Sequence, residues 1–176
     1  MDVIWYHEII NEALMNFIIN DKSLIDRNLC ERCLMHKIAE HLQIVINEKI
    51  NGYYVDCEFN RIENNPKSFN RTENNRKNSD RKRIFTDIII HGRDDNKENN
   101  KICIELKKKA TNGKSADLER LKKLTDRSES FAYNIGYFIE LPANRKKQNG
   151  LEYIVSEPEN KEQYGNVYIV NIIPKR

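Results

Sequence analysis

Apolar residues recur at helical spacing from the start of the chain. Ile9, Ile10, Ala13, Leu14, Phe17 and Ile18 share one face, with Glu8, Asn11, Glu12 and Asn16 between them, and predict an amphipathic helix over 3–19. A polar break follows at 20–28. Leu34, Ile38, Leu42 and Val45 then mark a second helix over about 30–47, with Asn28 as its N-cap. After Asn51-Gly52 the period drops to two. YYVDCEFNR at 53–61 puts Tyr53, Val55, Cys57 and Phe59 on one face of a strand, and Tyr54, Asp56, Glu58 and Asn60 on the other.

Residues 62–82 break all periodicity. They are rich in Asn, Lys, Arg and Glu, include Pro66, and predict a long loop, a feature that marks function or disorder in a compact domain. RIFTDIIIH at 83–91 and KICIELKKK at 101–109 predict two strands. The polar turn GRDDNKENN between them makes a hairpin, and hence antiparallel pairing, the expectation. Leu118, Leu121 and Leu124 predict a helix over 115–125. AYNIGYFIEL at 132–141 predicts a strand buried on both faces, and VYIVNII at 167–173 a further one. The order α-α-β-β-β-α-β-β describes a single α/β domain over 1–176, with a mixed sheet of four to five strands flanked by helices.

The chain has 176 residues and 39% hydrophobic residues, enough for a real core. No apolar run approaches the roughly 18 residues needed to cross a bilayer. The first ten residues carry acids and a His, unlike a secretory signal, so a cytoplasmic location and no membrane partner are expected. The net charge of +3 is unevenly spread. Between Arg61 and Arg83 eight bases face three acids, a local +5 that leaves the rest at −2. This segment, with Arg76, Lys77, Arg81, Lys82 and Arg83, is a candidate contact for nucleic-acid phosphates, and a plain linker is the alternative.

The candidate chemistry sits in the hairpin. Glu105 and Lys107 are two apart and share a strand face, opposite the apolar Ile102, Ile104 and Leu106. Asp87 interrupts the apolar run of the preceding strand, a costly place for a carboxylate unless something compensates it. Pairing of the two strands would bring Asp87 near Glu105. A divalent cation would relieve the repulsion between them, and hard oxygen ligands select Mg²⁺ or Mn²⁺. Such an ion suits hydrolysis of a phosphodiester, with Lys107 orienting or deprotonating the water, or stabilising negative charge. The competing reading of Glu105 and Lys107 is a solvated charge pair on an exposed strand.

These residues resemble a family. TDIII followed by IELKK is similar to the PD-(D/E)xK nuclease superfamily, and the resemblance extends in order through ERCLMHKIAEHL, VDCEFNR, TDIIIHGR, IELKKK, DLERLKKL and YNIGYFIEL, over about residues 29–141. It implies a restriction-endonuclease-like core and a small standalone nuclease using one or two Mg²⁺ or Mn²⁺ ions, with DNA as the expected substrate. It also implies metal binding by Asp87, Glu105, the Leu106 backbone carbonyl and Glu31, with Lys107 as the catalytic lysine. Glu58 and His36 match recurrent positions of a subgroup. Thr86 stands where the motif has proline, and the insertion 62–82 has no counterpart in the motif. Sequence specificity would then need a protein partner, a homodimer or a structural feature of the DNA.

Other readings stand beside these. Asn28-Leu-Cys-Glu31 has the spacing of a capping box, in which Glu31 would serve the Asn28 N–H. His36 also fits a packing role, and Glu40 an exposed helix acid. Cys30-x-x-Cys33 resembles half of a zinc site with no second half; zinc binding or redox chemistry is the lesser reading, and buried thiols are the default for it and for Cys57 and Cys103. The rival to catalysis is an inactive nuclease-fold module that binds nucleic acid or a protein.

Overall fold

The computed structural model describes residues 2–59, 61–62, 65–66, 86–94, 96–109, 112–143 and 151–175. Helix α1 covers Val3–Asp26, well past its expected end at residue 19. The residues after Ile19 extend it because Ile25 continues the buried stripe seven positions after Ile18. Asn28 then ends α1 instead of starting the next helix. It takes a left-handed φ of 55°. Its N–H donates to Ile25 O at 2.8 Å and the Leu29 N–H donates to Leu24 O at 3.1 Å, the paired bonds of a Schellman motif. Helix α2, Glu31–Lys49, has Cys30 as its N-cap, and no side chain caps it. The capping-box reading of Asn28 and Glu31 is therefore overturned, because Asn28 is committed to the end of α1.

Strand β1 is Tyr54–Phe59, and the two-residue strands β2, Arg61–Ile62, and β3, Asn65–Pro66, pair antiparallel. Part of the expected loop 62–82 is thus paired backbone, and the rest of it lies outside the described residues. Strand β4 is Thr86–His91 and β5 is Asn100–Lys108, and they pair antiparallel as the hairpin pattern predicts. Helix α3, Lys114–Thr125, carries the chain over to β6, Ile135–Leu141, which lies parallel to β5. The remaining strands are β7, Tyr153–Val155, β8, Glu159–Asn160, and β9, Val167–Pro174.

The sheet runs β1-β4-β5-β6-β9-β7, with β8 also paired to β9, seven strands among the described residues. It is mixed, as expected, but exceeds the four or five strands predicted. The additions are β7 and β8, at 3 and 2 residues too short to show a period, which pair antiparallel with β9. The alternation within strands divides the core. Ile88, Ile90, Ile102, Ile104 and Leu106 pack with α1 and α2 on one face. Ile89, Cys103 and Phe138 pack with Leu118, Leu121 and Leu124 of α3 on the other. Among the described residues, no helix is long and apolar enough to cross a membrane.

Candidate active site

The site forms where β4 and β5 part. Ile88 pairs with Ile104, so the register continued by one residue sets Asp87 across from Glu105. On the other side of β4, Cys57 pairs with Ile88 and Phe59 with Thr86, which sets Glu58 across from Asp87. Three acids thus share one row across three strands. Asp87 Oδ2 accepts the Leu106 N–H at 2.8 Å. Burial raises its pKa, with the Leu106 hydrogen bond acting against it.

Glu105 is 2% exposed. Its Oε2 lies 2.8 Å from Arg120 of α3. Its Oε1 is buried with no hydrogen-bond partner. Burial first, and then the Asp87 charge, push its pKa up to about 8, outweighing Arg120. An unpartnered carboxylate oxygen in such a place lacks a proton or a cation.

Lys107 stands two residues on, with Nζ 3.3 Å from Asp117 Oδ2 and 3.7 Å from Glu31 Oε1. Burial acts to lower its pKa, but Asp117, Glu31 and Asp87 outweigh burial and the net shift is upward. It is therefore a held cation, which suits stabilising negative charge better than taking a proton. Asp117 also meets Arg120 at 3.2 Å. Gly113 caps α3 directly above with a φ of 107°, and a Cβ there would lie 3.9 Å from Lys107 Cε.

Glu31 reaches the same place from the first turn of α2. Its Oε2 accepts the Lys108 N–H at 3.0 Å. Lys108 Nζ in turn donates to Asn28 Oδ1 at 2.7 Å and Leu29 O at 2.8 Å. The join between α1 and α2 is thereby stitched to the end of β5. Cys30, Glu31, Arg32, Met35, Glu58 and Asp87 line a cleft of about 380 Å³ at this end of the sheet.

Models of protein families, curated proteins and solved structures offer no match to the chain.

Asp87, Glu105, Lys107 and Glu31 are brought together as the sequence predicts. For Leu106, expected to offer its backbone carbonyl, the contact seen is from its N–H, to Asp87. Its side chain is in the core. Glu58 lies at the cleft with a left-handed φ of 50°, and its carboxylate pairs with Arg32 at 2.8 Å. His36 is exposed on α2, so it is neither a packing residue nor part of this group, because it falls one position beyond the cleft-lining Met35. Arg76, Lys77, Arg81, Lys82 and Arg83 lie outside the described residues. Among the described residues, no group of three His, Cys, Asp or Glu side chains is set to hold a metal ion.

Two members of the site, Asp117 and Arg120, escape the sequence reading. A signal existed. Asp117 is four residues before Leu121, so it falls on the apolar stripe of α3, and it is 4% exposed. Arg120, three residues on, is its neighbour on that face. An acid on a buried stripe is as anomalous as Asp87 in its strand.

Proposed function

We propose that the chain is a Mg²⁺- or Mn²⁺-dependent nuclease that hydrolyses phosphodiester bonds in DNA, built on a restriction-endonuclease-like core. The observation that carries this reading is the buried Glu105 carboxylate, with an unpartnered oxygen and a pKa raised to about 8, across from Asp87 and beside the cationic Lys107. Repulsion of this kind costs stability, and a divalent cation between the carboxylates would offset it. The donor set fits. Mg²⁺ commonly takes one or two carboxylates and completes its shell with water and substrate phosphate, so a three-residue cluster is not required. Asp87 and Glu105 would hold the ion, which when bound supplies Lewis-acid activation of a water and charge neutralisation at the phosphate.

The chain's own residues have separable roles. The Leu106 N–H orients Asp87 through its Oδ2. Arg120 holds Glu105 in place. Lys107, kept charged by Asp117 and Glu31, would stabilise the negative charge that develops at the reacting phosphate. Glu31 works as a positioning residue, through Lys107 and the Lys108 N–H. The bases of 61–83 would track the phosphate backbone without sequence preference and with strong salt dependence.

A second reading, an inactive module that binds nucleic acid or a protein, is favoured by one observation: Glu105 is already paired with Arg120, and Lys107 with Asp117. Incubation of plasmid and single-stranded DNA with the protein and Mg²⁺ or Mn²⁺ separates the two. The nuclease reading expects cleavage that chelation abolishes and that Asp87→Ala and Lys107→Ala reduce by about a hundredfold or more. Equal cleavage by Asp87→Ala would remove the nuclease reading of this site, and binding without cleavage would favour the module.

A further inference from the structure

The segment Cys30-Glu31-Arg32-Cys33 carries two thiols that the chemistry above does not use. The default of buried thiols holds for Cys103, but Cys30 and Cys33 are both exposed. Their placement follows from the helix start. Cys30 is the N-cap of α2, with an extended backbone at φ −62° and ψ 153°. An N-cap residue turns its side chain back over the first turn, toward the third helical position. Cys33 occupies that position, and its N–H donates to Cys30 O at 3.1 Å. The two sulfurs consequently meet at 2.9 Å and share a hydrogen bond. A modest side-chain rotation converts such a contact into a covalent bond of about 2.05 Å.

A zinc role does not suit the pair. No second such motif exists in the sequence, and among the described residues no further His, Cys, Asp or Glu completes a metal group around it. Two exposed thiols in contact are instead the arrangement of a dithiol that can cycle. We propose that Cys30 and Cys33 form a redox-active pair that exchanges reversibly with low-molecular-weight disulfides, closing to an intramolecular disulfide across the first turn of α2.

One cysteine, having lost its proton to solvent, attacks a sulfur of the small disulfide RSSR. The S–S bond breaks and RS⁻ leaves, taking up a proton. The second cysteine, also deprotonated, attacks the protein sulfur of the mixed disulfide and expels the second RS⁻. Two protein thiols are oxidised by two electrons, and RSSR is reduced to two RSH. Excess RSH reverses both steps.

The location gives the bond a consequence. Cys30 lines the cleft of about 380 Å³ alongside Glu31 and Asp87, so the pair's oxidation state alters the wall of the candidate active site. The thiol chemistry is independent of the phosphodiester reading and is measured directly.

The test uses the full chain, equilibrated with glutathione over graded reduced-to-oxidised ratios, both natively and in urea. Samples are acid-quenched, alkylated and analysed by peptide mass spectrometry. In the native chain the peptide carrying Cys30 and Cys33 is expected to lose two hydrogens in one transition that dithiothreitol reverses. Cys57 and Cys103 should remain alkylatable once unfolded. Because the native fold holds the sulfurs in contact, its midpoint should lie at a ratio about tenfold more reducing than in urea. Cys30→Ser and Cys33→Ser should each trap one glutathione as a mixed disulfide. A pair that stays reduced at every ratio overturns the proposal. So do glutathione adducts on wild type without an internal bond, or equal midpoints in native and unfolded chain.

Discussion

Glu105 shows how one side chain ties stability to the proposed chemistry. It is the least favourably placed carboxylate of the site: buried, facing Asp87, and short of one hydrogen-bond partner. Glu105→Gln keeps the volume and removes the charge. The metal-free variant should be more stable than wild type at pH 8 by about 1–2 kcal/mol, read from urea denaturation, while losing any metal-dependent cleavage. A variant that is less stable there would mean that the Arg120 ion pair outweighs burial. Arg120→Met makes the opposite change, leaving Glu105 without its counter-ion. It should cost about 3 kcal/mol at pH 8, the lower end for a broken buried pair because Arg120 is 33% exposed. The loss should shrink at pH 6, where Glu105 takes up a proton. A pH-independent loss would place the effect in packing of the arginine stem instead.

Elements with several apolar positions are legible from the sequence, and strands of two or three residues held by pairing with a neighbour are not. The stripes of α1, α2 and α3 and the alternation of β4 and β5 place the helices, the hairpin and the Asp87, Glu105 and Lys107 group. Burial follows the period wherever an element spans several repeats. The pattern could not reveal β7 and β8, which owe their existence to pairing with β9. It misassigned Asn28, since asparagine suits both a helix start and a left-handed helix end, and the choice depends on where the polar residues after Ile19 go. Asp117 and Arg120 were hidden because α3 reads as a simple leucine stripe unless its acid is weighed as a buried position. The role of Asn28 is open to a direct check. Asn28→Gly should preserve stability, because glycine accepts the φ of 55°, whereas Asn28→Ala should cost about 1 kcal/mol in urea denaturation. Equal losses in both variants would assign the effect to the lost Lys108 Nζ contact rather than to the backbone.

At the scale of the whole molecule, a net charge of +3 conceals two regions of opposite demand. The segment 61–83 carries the basic excess, while the end of the β4–β5 hairpin gathers acids that lack sufficient countercharge. The titrations of Asp56, which is well countered, and of Glu105, which is not, bound the pH range of the metal-free fold from both sides. Asp56 accepts both nitrogens of a forked Arg93 contact, at 2.8 and 2.6 Å, and a bond from His91 at 2.8 Å. The Arg93 hydrogen bond leads in lowering its pKa, with burial opposing it. A lowered carboxylate contributes stability above its unfolded pKa and loses it as pH falls through the folded one. Glu105 has the reverse sign. Its folded pKa of about 8 exceeds the ordinary 4.5, so its contribution is fully present below 4.5 and is lost as pH rises toward 8. Metal-free wild type should therefore lose thermal stability between about pH 5 and 8 relative to Glu105→Gln, whose profile lacks this component. Saturating Mg²⁺ should cancel most of the difference at pH 8, because an ion bound by ionised Asp87 and Glu105 stabilises the charged folded state. Thermal melts of both proteins across this range, with Mg²⁺ and with chelator, carry the whole argument. Parallel profiles without metal would refute the Glu105 titration. A slope that Mg²⁺ leaves unchanged would keep the titration and remove the cation from between the two carboxylates.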